Sequence, residues 1–168
     1  RPVAWFDRHI VDGTMNFVLE CQTVENAPRT MGYWKHQVNV YITGKGKAQE
    51  TKSNMIAYLD GIYNHFHQHP IHPVSVYTLD PSTLSATKLE TAQDILTVSG
   101  GSDMELRARQ QLMALLLNVI SLKLGQNMVI SDDGRTVNQA ITYAWDLIAD
   151  GNPANAETAK TIADEINN

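Results

Sequence analysis

Apolar residues recur at helical steps through most of the chain after residue 47. Met104, Ala108, Leu112, Leu115, Leu116, Val119 and Leu122 follow one another at intervals of three and four, which lines one helix face. The run is apolar nearly all round, as expected of a helix at the centre of a core. Ser102-Asp103-Met104-Glu105 in front of it has the form of a capping box, where serine accepts from the third helical N–H and glutamate reaches back. Lys123 falls in the expected last turn and Gly125 at the expected left-handed cap. A second box, Thr136-Val137-Asn138-Gln139, heads Val137, Ala140, Ile141, Ala144, Leu147 and Ile148, and Gly151 ends that run. Asn155 is placed to cap a shorter helix carrying Ala159, Ile162, Ala163 and Ile166, with fraying expected at Asn167-Asn168.

Upstream, Thr87-Lys88-Leu89-Glu90 predicts the opening of a helix to about Leu96, before Gly100-Gly101. Ala48 to about Phe66 carries Met55, Leu59, Ile62, Tyr63 and Phe66 on one stripe. Pro70, Pro73 and Pro81 punctuate a connector in which Val74-Ser75-Val76-Tyr77 reads as extended. Thr30 to Ile42 fits a helix through Trp34, Val38 and Tyr41, and a strand through Val38, Val40 and Ile42; the helix is preferred, with Gly44 as its stop. Trp5-Phe6 and Met15 to Leu19 read as strand or irregular arm. The pattern as a whole predicts a mainly α fold in a single domain over 1–168. A bundle of about five to six helices occupies residues 30–168, and an irregular or short-strand arm occupies residues 1–29.

At 168 residues roughly 70% of the unfolded surface can be buried, so the core needs no covalent staples. Thirteen Lys and Arg against 18 Asp and Glu leave a net charge of −5. That balance argues against nucleic acid and anionic membranes, which require basic patches. The largest basic cluster is Gly44-Lys45-Gly46-Lys47. No apolar stretch approaches the roughly 20 residues needed to span a bilayer. Cys21 is the single cysteine, so no internal disulfide is expected; its commonest role is that of a buried small apolar residue. The chain opens on Arg1-Pro2-Val3 without a leader, which suggests a segment of a longer polypeptide whose targeting signal lies elsewhere.

Arg29-Thr30-Met31-Gly32-Tyr33-Trp34-Lys35-His36 resembles an R-T-x-G-Y/F-W-K-x-H motif of secreted and cell-surface proteins of bacteria and archaea. The likeness extends to Glu105-Leu106 through Asn118, a Leu- and Ala-rich helix ending in Leu-Asn. It extends again to Thr136 through Asn168, with its Ala-Lys-x-Ile-Ala-Asp-x-Ile-Asn-Asn ending. Together these matches cover about half the chain. Here His36 stands directly before Gln37, and the proline that often follows the motif is absent. The resemblance implies an extracellular accessory module without established catalysis, and it transfers no functional residue. On physical grounds Gly32 permits close backbone approach, while Tyr33 and Trp34 supply large buried area with polar tips. The preferred reading is an aromatic anchor, with Trp5, that pins the N-terminal arm to the helices.

Five histidines, His36, His65, His67, His69 and His72, form the clearest candidate chemistry. If the helix from Ala48 continues through His69, then His65 and His69 lie one turn apart and can face one ion. His36, His72 or Asp60 would supply a third ligand for zinc. An extended segment would instead set His65, His67 and His69 on one side, which suits copper or nickel. The plainer reading is a solvated helix end, where imidazoles meet terminal carbonyls. Ser131-Asp132-Asp133-Gly134-Arg135-Thr136 offers oxygen ligands for calcium but lacks the Asp ladder and closing Glu of a calcium loop, so it reads as a turn. Ile42 to Lys47 lacks the spacing of a phosphate loop. No G-x-S-x-G, H-E-x-x-H or C-x-x-C is present, and Cys21 with a distant histidine, or Asp7 with His9, are pairs any such chain offers.

The leading expectation is a non-catalytic extracellular or cell-surface module with a scaffolding, assembly or attachment role. Its partner would be another protein or a second copy. A metal-binding module using His65, His69, His36 and His72, and an enzyme with an unrecognised site, stand as alternatives.

Overall fold

The computed structural model describes residues 3–11, 14–67, 84–101 and 103–168, with residues 3–11, 14–22 and His67 described by their backbone. The chain opens on an antiparallel hairpin, β1 (Val3–Val11) and β2 (Thr14–Gln22), in a register that sets Phe6 opposite Leu19. The arm expected over 1–29 is therefore a strand pair followed by a short pinned stretch. Asp12-Gly13, between the strands, is a dipeptide favoured in two-residue hairpin loops.

Six α-helices follow among the described residues, which makes the fold mainly α and bundle-like as the pattern predicts. They are α1 (Met31–Thr43), α2 (Lys52–Ile62), α3 (Ser85–Leu96), α4 (Met104–Ile120), α5 (Val137–Ala149) and α6 (Pro153–Asn167). α4 is the hub and packs against α1, α2, α3, α5 and α6. Every residue from Gln110 to Val119 is buried on it, so it is covered on all sides. Each fully buried leucine on such a helix is worth about 1.5–3 kcal/mol over an exposed one. Gly61 of α2 lets that helix approach closely: a Cβ there would lie 2.7 Å from Cγ2 of Ile120.

The helix ends show where local signals decide and where they do not. Thr30 accepts the Tyr33 N–H and Gly44 closes α1 in the left-handed region at φ +69°, as expected. Thr136 and Gln139 form the reciprocal capping box on α5. Three other expectations are corrected. α3 begins at Ser85 with no side-chain cap, so Thr87 sits inside its first turn and accepts the Thr91 hydroxyl on its carbonyl. Asp103 caps α4, its carboxylate accepting the Glu105 N–H, and Glu105 pairs with Arg109; Ser102, the expected cap, lies outside the described residues. α6 starts at Pro153 behind Asn152, three residues before the expected cap Asn155, which instead donates to Asp150. Proline at the first helical position loses no hydrogen bond, so Asn152-Pro153 is the stronger signal.

α4 also ends earlier than expected. Ser121 caps it and Leu122, not Gly125, takes the left-handed conformation at φ +60°. The helical run of α2 continues through a π-turn, Tyr63–His67. Pro70, Pro73, Pro81 and the Val74–Tyr77 stretch lie outside the described residues. Among the described residues no helix is long and apolar enough to cross a membrane.

Candidate functional site

The Arg29–His36 segment, the end of α4 and the end of α6 meet at one buried amide. Asn118 is fully buried. Its Oδ1 accepts the Arg29 N–H at 2.8 Å and the Trp34 indole N–H at 3.0 Å. Its Nδ2 donates to the Arg29 carbonyl at 2.8 Å and to Asn167 Oδ1 at 2.9 Å. All four positions an asparagine amide can offer are thus used. Asn167, expected to fray, is buried and donates to the Gln111 carbonyl at 3.0 Å. The aromatic anchor is real for Tyr33 and Trp34, which meet edge to face at 5.1 Å between ring centres, with the Arg29 guanidinium over Tyr33. The anchored stretch continues upstream, where the Glu25 and Ala27 N–H groups donate to the Leu122 and Lys123 carbonyls.

Beside this amide sits a buried carboxylate that no sequence motif marks. Glu50 lies between α1 and α2. Its Oε1 accepts the Tyr33 hydroxyl at 2.7 Å and lies 3.1 Å from Lys123 Nζ, while Oε2 accepts the Tyr58 hydroxyl at 3.2 Å. Tyr41 donates to the Glu50 carbonyl, and Gln37 Oε1 accepts the Glu50 N–H. Burial pushes the Glu50 carboxyl up, but bonds from Tyr33 and Lys123, the lysine charge and Tyr58 outweigh it and hold the carboxyl below its ordinary value. Burial first, then the Glu50 hydrogen bond and charge, push the Tyr33 hydroxyl up. Burial and the Glu50 charge push Tyr58 up to about 12. These shifts keep Glu50 ionised and the Tyr33 and Tyr58 hydroxyls protonated at neutral pH, which holds their mutual bonds.

The candidate metal ligands have other engagements where they are described. The His65 ring nitrogen Nε2 lies 3.2 Å from Gln126 Oε1, and the ring packs edge to face on Phe66. His36 Nε2 lies 3.2 Å from the Lys47 carbonyl, with Gly46 tucked beneath its ring. Asp60 pairs with the buried Lys88 at 2.5 Å. His69 and His72 lie outside the described residues, and His67 is described by backbone alone. Among the described residues no group of three or more His, Cys, Asp or Glu is placed to hold an ion. The Ser131–Arg135 stretch is a turn: the Gly134 N–H donates to the Ser131 carbonyl, and Asp133 is taken by Ser131 and Arg135. Those two partners hold the Asp133 carboxyl below its ordinary value, the Ser131 hydrogen bond most strongly. Cys21, Asp7, His9 and Trp5 sit on the hairpin strands, where only the backbone is described.

A groove of about 500 Å³ opens between α5, α6 and the loop that joins α4 to α5, with Pro28 of the anchored stretch in its lining. Met128, Val129, Ile130 and Tyr143 stand on its walls, Ile162 and Ile166 lie along α6, and Pro28 and Leu124 close the end nearest the anchor. Val129 is 58% exposed and Tyr143 46%. Arg135, Gln139 and Glu165 supply polar groups to the same lining. The wall carries a one-residue antiparallel bridge, Val129 with Thr136, flanked by the bonds Ile130 N–H to Arg135 carbonyl and Val137 N–H to Met128 carbonyl, each 2.9 Å. Sequence reasoning passed over this groove; its signal is Met128-Val129-Ile130, three successive apolar residues outside any helix. Comparison with family models, curated proteins and solved structures finds no match for the chain.

Proposed function

We propose that the chain is a non-catalytic attachment or assembly module of an extracellular or cell-surface protein, and that the apolar groove is the surface through which it works. The observation that carries this reading is the groove itself. An apolar depression rimmed by polar residues is a common form of interaction site. Leaving Val129, Ile130 and Tyr143 in water forgoes burial that the bundle does not need for its own core. The buried polar groups support the same reading from the other side: Asn118, Asn167 and Glu50 are saturated by structural bonds and hold the fold. The extracellular setting rests on the likeness of residues 29–36, 105–118 and 136–168 to the secreted and cell-surface proteins described above.

The test is a hydrophobic fluorescent dye presented to the folded chain at high dilution, where copies are separate. Dye fluorescence rises with the natural chain and is lost in Val129→Glu/Ile130→Glu at unchanged melting temperature. Equal fluorescence from both chains, or none from either, removes the proposal.

A further inference from the structure

We infer that the groove takes an extended, basic segment of a partner protein, which adds as a strand to the free edge at Val129; this rests on the groove being an interaction surface. The edge comes first. Val129 and Thr136 form a one-residue antiparallel bridge, closed by the turn in which the Gly134 N–H donates to the Ser131 carbonyl at 3.0 Å. The bonds of the bridge belong to its neighbours, from the Ile130 N–H to the Arg135 carbonyl and from the Val137 N–H to the Met128 carbonyl. Val129 and Thr136 therefore turn their own main-chain groups outward, on opposite edges. The Thr136 edge is closed by the start of α5: its N–H donates to Gln139 Oε1 at 2.9 Å, and its carbonyl accepts the Ala140 N–H at 3.0 Å. On the Val129 edge neither group has a partner among the described residues. That open edge belongs to the groove wall.

The edge selects the form of the occupant. A helix has already paired its own backbone, so covering Val129 with one would take an N–H and a carbonyl out of water and leave both unpaired. A hydrocarbon chain would do the same. One residue of an antiparallel strand exchanges both bonds with Val129, while its alternate side chains enter the depression beside Ile130, Tyr143 and Ile162.

Charge selects its sign. Two charged residues line the groove, Arg135 and Glu165. Arg135 Nε already lies 2.8 Å from Asp133 Oδ2. Glu165 is exposed and meets no cation among the described residues. The charge left over in the lining is negative, like the net charge of −5 on the chain, and both favour a segment carrying Lys or Arg.

The test uses the full chain and a fluorescein-labelled peptide of alternating valine and threonine flanked by lysines, with binding read by anisotropy. The natural chain is expected to bind it. Methylating the central backbone nitrogens of the peptide, or replacing its lysines with glutamates, should weaken binding about tenfold or more. Val129→Pro should do the same while melting temperature and uptake of the hydrophobic dye stay unchanged, because proline removes the outward N–H and spares both bonds of the bridge. Glu165→Lys should reverse the preference between the two peptides. Equal binding of the methylated peptide by the natural chain overturns the strand, with no variant involved. So does full binding by Val129→Pro, or a helical peptide bearing the same valines and lysines that binds as tightly. A natural chain seen by light scattering as a dimer that Val129→Pro dissociates makes a second copy the occupant and overturns the separate partner. Dye uptake without peptide binding overturns this inference alone and leaves the attachment reading standing; no dye uptake overturns both.

Discussion

The Asn118–Glu50 region and the groove at Met128–Ile130 reverse the usual distribution of polar and apolar groups. In one region, polar side chains are buried: Asn118, Asn167 and Glu50 lie within the bundle, and their bonds to Arg29, Trp34, Gln111 and Lys123 join segments distant in sequence. In the other, apolar side chains are exposed: Met128, Val129, Ile130 and Tyr143 stand open around a groove. A buried amide without partners costs about 1–3 kcal/mol, and a buried carboxylate more, so such residues are kept where their geometry specifies one arrangement. An exposed apolar wall stabilises nothing in the isolated chain. The anchor side therefore makes the fold unique, and the groove side is held open by that rigidity.

Substitutions that sharpen this contrast fall in a clear order. Trp34→Ala, which empties a fully buried site and removes a bond to Asn118, should cost about 3–5 kcal/mol and leave little folded protein, as read by thermal unfolding. Asn118→Ala should cost about 3 kcal/mol, because it strands the Trp34 indole, both Arg29 backbone groups and Asn167 together; a loss below about 1 kcal/mol would show that water replaces the amide. Gly61→Ala should cost a net of about 1 kcal/mol, the clash with Ile120 exceeding the gain in helix propensity.

The Glu50 clamp makes stability depend on pH at both ends. The Glu50 carboxyl is lowered in the fold, so its contribution is complete above the ordinary carboxylate value and is lost as pH falls through the folded one. The Tyr58 hydroxyl is raised, so its contribution is complete below its ordinary value of 10.0 and is lost as pH rises toward about 12. A melting-temperature profile should be flat between these limits, and Glu50→Gln should flatten the acid limb. The smallest effect belongs to the groove: Val129→Glu/Ile130→Glu should change unfolding free energy by less than about 0.5 kcal/mol, since both side chains are exposed. A large loss there would mean that the groove belongs to the core.

Much of the bundle is legible along the chain because its helices carry their own period and caps. α1, α4 and α5 declare themselves through Thr30 with Gly44, through the run from Met104 to Val119, and through Thr136 with Gln139. The caps that mislead are those where another polar residue stands close by: Asp103 caps α4 next to the expected Ser102, and Asn152-Pro153 opens α6 ahead of the expected Asn155. Helix boundaries depend on which of two adjacent polar residues reaches an N–H first, and spacing alone does not rank them. The candidate site is less legible. The histidines attract notice because they are close in sequence, yet His36 and His65 are taken up by Lys47 and Gln126. Asn118 does leave a trace, as a lone amide within an apolar run.

Helical period, caps and the aromatic pair at Tyr33 and Trp34 are properties of neighbouring residues, so the sequence by itself determined a mainly helical bundle with α4 at its centre. Which polar groups meet inside it, and which apolar ones stay outside, was decided only in the tertiary structure. Glu50 meets Lys123 and Asn118 meets Asn167 across 73 and 49 positions of chain, and the Met128–Ile130 wall faces α6 because the loop is stitched to Thr136 and Val137. Those meetings depend on the angles at which whole helices pack, and no local pattern of residues carries that information.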